Sequence, residues 1–152
     1  MAIDKTLKLT ATILIVAALA IAVITMAVIT INQNVSTTGT ITAGPNVGVF
    51  SNSACTTSLS SMNWGSIEAG GSATQTIYVE DTGGAAMTPS ISVSNWSPST
   101  ASSYITITWS TLPSSISTGV SNAVAVTLTL TVSGSITGIS SFSNTITISG
   151  TG

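Results

Sequence analysis

The chain has 152 residues, of which only 4% are charged (Lys+Arg 2, Asp+Glu 4, no His), while 43% are hydrophobic. An ordinary domain is about one quarter charged, so a typical cytosolic protein is excluded. A nucleic-acid partner is excluded too, because neutralising phosphates needs a basic cluster, and the length leaves room for one domain beyond a leader.

Both basic residues, Lys5 and Lys8, stand before a charge-free apolar run, "LTATILIVAALAIAVITMAVITI", residues 9–31. As a helix this run would extend about 35 Å, enough to cross a bilayer's hydrocarbon core. Basic residues only on its amino side predict an amino terminus inside the cell and the rest of the chain outside. Leu9, Ile13, Val16, Val23 and Ile29, with the small Ala18 and Ala22 four residues apart, form the candidate surface for association between such helices.

Two fates of this run stay open. Retained, it is a membrane-inserted helix that can become the core of an assembly. Cleaved, it is a signal peptide: "TMA", residues 25–27, is a small-x-small triplet of the kind a signal peptidase accepts. Cleavage there would free "VITINQNVSTTGTIT", in which Ile29, Ile31 and Val35 could fill a groove at strand spacing. The run exceeds the usual signal length and continues past the triplet, so retention is the leading expectation. The expected organisation is a hydrophobic helix over 1–34 and a Ser/Thr-rich β-sandwich over 35–152.

Beyond the leader, Ile, Val and Leu alternate with Ser and Thr between Gly, Ser, Asn and Pro punctuation. In chain order, "NVSTTGTIT", "NVGVF", "TQTIYVED", "ISVS", "YITITWS", "NAVAVTLTLTVSG" and "NTITIS" read as strands. Period-two alternation puts Ile77 and Val79 inward, then Ile105, Ile107 and Trp109, then Val124, Val126, Leu128, Leu130 and Val132. Some seven such strands predict an antiparallel sandwich wet on its outer faces. The expected fold class is therefore mainly β, a long N-terminal hydrophobic α-helix followed by a single antiparallel immunoglobulin-like β-sandwich. Its surface is solvated by hydroxyls rather than charges, which removes the repulsion that keeps proteins apart.

Residues able to carry chemistry are few. After Lys8 the acids are Glu68, Glu80 and Asp81, and there is no base to activate a serine. These acids could serve a two-carboxylate hydrolysis or one Ca²⁺, but reading them as solvated turn residues has precedence. No catalysis, cofactor or metal is expected. The single Cys55 cannot form an intramolecular disulfide and is read as a small buried apolar residue. Sequons at Asn34 ("NVS") and Asn95 ("NWS") are candidate N-glycosylation sites. Trp64, Trp96 and Trp109 could form a sugar platform, with a place in the core as the preferred reading.

The run "WGSIEAGGSATQTIYVEDTGG", preceded by "NVGVFSNSACTT" and followed by "SVSNWSPSTASSYITITW", resembles the immunoglobulin-like sandwich domains of archaeal surface proteins. Joined to a hydrophobic leader, it is similar to archaeal pilins, whose apolar helices bundle into a filament core. It also resembles in part the biofilm-matrix fibre subunits related to TasA and camelysin, in which the leader is cut and an amino-terminal strand completes the next subunit's sheet. Asp4, Lys5 and Lys8 stand where a mature type IV pilin is apolar, and no prepilin-peptidase site is recognisable.

These resemblances imply a structural subunit of an extracellular pilus-like filament. The implied partners are other copies of itself, the membrane before assembly, and glycan, including O-linked sugar on Ser and Thr. The alternatives are a single-pass anchored surface-binding protein and a signal-peptide-cleaved strand-donor fibre subunit.

Overall fold

The computed structural model describes residues 34–43 and 46–152. Eight strands succeed one another: β1 (Asn34–Ala43), β2 (Val47–Phe50), β3 (Ser61–Glu68), β4 (Ser72–Asp81), β5 (Thr88–Ser97), β6 (Ile105–Trp109), β7 (Val124–Val132) and β8 (Ser141–Thr151). They form two four-stranded sheets, ordered β3-β1-β8-β5 and β2-β4-β7-β6.

The inward faces are set by alternation. On β7 Val126, Leu128 and Leu130 are fully buried, as are Ile77 and Val79 on β4 and Ile146 and Ile148 on β8. The intervening Ser and Thr face outward, so each strand contributes one apolar row to a core shared by both sheets. Irregular segments close the ends. Ile116 exchanges backbone hydrogen bonds with Met87 (3.0 and 2.8 Å), and Ile136 and Ile139 are buried outside any strand.

β3 is an element that simple alternation does not reveal. Its register against β1 shifts between Thr37 and Thr38, and Gly65 sits at φ +78 with its N–H donated to Asn63 Oδ1 at 2.8 Å. This β-bulge lets Trp64 and Ile67, three residues apart, face the same core. Gly70, at φ +81, serves the tight turn into β4, closed by Gly71 N–H donating to the Glu68 carbonyl at 2.9 Å. The W-G-x-I-x-x-G pattern thus has a local structural reason.

The expected fold class needs correcting. The sheets are not purely antiparallel, because β1 runs parallel to β8 while pairing antiparallel with β3. Helix among the described residues is confined to two 3-10 turns, Ser99–Ser103 and Val120–Asn122, the longer having five residues. β-branched and hydroxyl side chains favour strands over helix throughout this part. The long helix expected over 9–31 lies outside the described residues, as do Leu9, Ile13, Val16, Ala18, Ala22, Val23 and Ile29. Among the described residues, no helix is long and apolar enough to cross a membrane.

Candidate functional site

The acids are the first place to look for chemistry, and the fold separates them. Glu68 lies just before β4 and Asp81 ends it, so this ten-residue strand holds them about 30 Å apart along its axis at 3.3 Å per residue. That distance keeps Glu68 out of a two-carboxylate centre with Glu80 or Asp81. No group of three or more His, Cys, Asp or Glu stands together among the described residues.

Asp81 is 1% exposed. Its Oδ1 accepts from the Gly83 N–H at 2.8 Å, and its backbone carbonyl accepts from the Gly119 N–H at 3.1 Å, which ties the β4–β5 connection to the segment before β7. It lines a cleft of about 370 Å³ with Asn46, Gly84, Ala85, Met87, Gly150 and Gly152. Asp81 and Glu80, itself buried, are therefore not the solvated turn residues expected, whereas Glu68 is exposed.

Cys55 also departs from expectation. It is half-buried in the loop after β2, at φ +51, rather than in the core. Burial, and after it the charge of the neighbouring Glu80 carboxylate, raise its pKa above the ordinary value, while its Sγ–H donates to the Ser53 carbonyl at 4.0 Å. A raised pKa lowers the thiolate fraction at a given pH.

The tryptophans divide. Trp64 is in the core, and Trp96 is half-buried, with its ring 5.7 Å from that of Phe142. Trp109, expected inward, is 37% exposed, because β6 ends there and leaves it at the sheet margin. The core position of Trp64 removes it from any sugar platform.

Of the two sequons, Asn34 is the first residue of β1, opposite Glu68. Asn95 is exposed at an irregularity in β5, at φ +54, and its Nδ2 donates to Thr145 Oγ1 at 3.3 Å.

What the sheet architecture singles out is β1. It fills the slot between β3 and β8, pairing along both edges. Ser36 to Ala43 face Ser141 to Ile148 on β8, and Asn34 to Thr40 face Glu68 to Ser61 on β3. Val35, Thr37, Gly39 and Ile41 point inward, while Ser36, Thr38 and Thr40 are exposed. Ser36 and Thr38 also border a shallow hydroxyl-lined groove of about 360 Å³ with Ser97, Pro98, Ser141, Phe142 and Ser143.

Comparisons of the chain with protein-family models, curated proteins and solved structures found no match.

Proposed function

We propose that this protein is a non-enzymatic structural subunit of an extracellular filament, and that its copies are joined by exchange of β1. The observation that carries this reading is the place of β1 in its sheet. It is the first described strand, yet it lies inside the sheet and not at its edge. Only the joint to β2 ties it to later elements, so it can be withdrawn without threading the rest of the chain. Withdrawal would leave β3 and β8 with unpaired ladder edges, which a strand of the same sequence fits.

Composition supports assembly as well. A surface clothed in Ser and Thr with almost no charge lacks repulsion between copies. Lys5 and Lys8 before the apolar run favour export of the β-rich part of the chain through the membrane to the cell surface. The exposed Asn95 is a reachable position for sugar.

The test is a disulfide between copies. Thr38 and Ser143 are partners across the β1–β8 pair. In a Cys55→Ser background, T38C chains are mixed with S143C chains during assembly and then oxidised. A crosslink joining the two kinds of chain, with filaments in sheared surface fractions by electron microscopy, is the expected result. Filaments without such a crosslink would overturn strand exchange, and absence of filaments would overturn the structural role.

A further inference from the structure

The buried side-chain polar atoms without a hydrogen-bond partner among the described residues are Thr37 Oγ1, Trp64 Nε1, Asp81 Oδ2, and Oδ1 and Nδ2 of Asn144. All but that of Asp81 lie on the three adjacent strands β1, β3 and β8. Thr37, Trp64 and Asn144 are 1%, 5% and 3% exposed. Two of them meet at Gly39: a Cβ placed on it would stand 3.2 Å from Asn144 Oδ1 and 3.6 Å from Trp64 Nε1. Gly39 is also the residue paired with Asn144 across the parallel ladder.

This polar niche interrupts rows that are otherwise nearly repetitive. β1 offers Ser36, Thr38 and Thr40 outward, and β8 offers Ser141, Ser143, Thr145 and Thr147. Shifting β1 by one residue turns its apolar face outward and is excluded by burial. Shifting it by two keeps the faces correct and exchanges one hydroxyl for another on the outside. The ladder and the outward hydroxyls therefore do not oppose this slip, and what opposes it is the uneven inward row, Val35, Thr37, Gly39 and Ile41.

The niche opposes it. A two-residue slip brings Thr37 or Ile41 to the place of Gly39, and both are β-branched. The first side-chain carbon would already press on Asn144 Oδ1, and the branches beyond it would cover polar atoms that have no other partner. A residue without a Cβ seats there with no displacement of Asn144.

We propose that Gly39, over Asn144 and Trp64, is the register key of β1. It fixes the one alignment in which the strand can be received, and so selects the β1 of a second copy of this chain over other Ser/Thr-rich strands. The register role within one chain stands by itself, and the selection of a second copy rests on the strand-exchange reading.

The experiment uses the full chain in the Cys55→Ser background. T38C is combined in one chain with S143C, its native partner, or with S141C or T145C, the partners after a two-residue slip. Oxidation should favour the native pair by about tenfold or more, and Asn144→Ala should bring the three yields to within about threefold, which is about 0.65 kcal/mol. Trp64→Phe keeps the aromatic bulk, removes Nε1 and should relax the preference in the same direction, which secures the test if Asn144→Ala fails to fold.

An unchanged preference in a folded variant would overturn the register key. The same pairs split between two chains read the exchange separately. Selective crosslinking within one chain but none between chains would sink strand exchange while leaving the register role intact.

Discussion

At the scale of single residues, two side chains show how position overrides composition. Cys55 reads as a core residue in a chain this apolar, yet it sits in a loop, where burial and then the charge of Glu80 raise the pKa of the thiol. Alkylation by iodoacetamide at pH 8.5 is therefore expected to be slower in the folded protein than in the denatured chain, and Glu80→Gln should quicken it. Equal rates in the two proteins would show that Glu80 does not act on the thiol. Stability inherits a sign from this shift: the folded thiol keeps its proton to higher pH than the unfolded one, so the protein loses stability as pH rises past the unfolded thiol's pKa. Trp109 was equally illegible, because alternation says which face a residue takes but not where its strand stops being covered.

Among the elements, β7 was readable in its inward row, Val126, Leu128, Leu130 and Val132, with Val124 half-buried at its start, since nothing interrupts its period. β3 was not, because the bulge at Gly65 places Trp64 and Ile67 out of period. The parallel β1–β8 pair was not legible either, as alternation fixes faces but carries no information about strand direction or neighbours. The seat of β1 depends on residues distant from it in sequence, Trp64 on β3 and Asn144 on β8, which only the assembled sheet brings together.

Gly65 offers a clean test of the bulge. No atom lies within 4 Å of the place of its Cβ, so a substitution there meets only the backbone cost of φ +78. Gly65→Ala is expected to lower unfolding stability by about 1–2 kcal/mol in denaturant titrations, and Gly65→Asn by less, since Asn tolerates the left-handed region better. Equal stability of all three proteins would mean that the bulge is not formed.

For the molecule as a whole, the proposed strand exchange makes a prediction about residues 1–31. Strand exchange fits a chain freed near Val28, because β1 must then leave one copy and enter another. Intact mass and the amino-terminal peptide of the sheared filament fraction decide this. A chain starting near Val28 is the result strand exchange calls for, in place of the retention that the length of the apolar run favours. A start at Met1 or Ala2 would show that the apolar run travels with the filament and that assembly has a second, hydrophobic component.

The parallel β1–β8 pair has a mechanical consequence. When two parallel neighbours are pulled, one by its leading end and the other by its trailing end, they slide along each other, and every hydrogen bond between them is strained at the same moment. An antiparallel hairpin pulled at its open end parts one bond at a time, like a zipper. Copies linked head to tail through β1, each passing its load to the next through β8, would carry tension along the fibre in the direction where this ladder resists rupture best. The strand that joins the subunits would then also be the member that bears the pull of whatever the cell is holding.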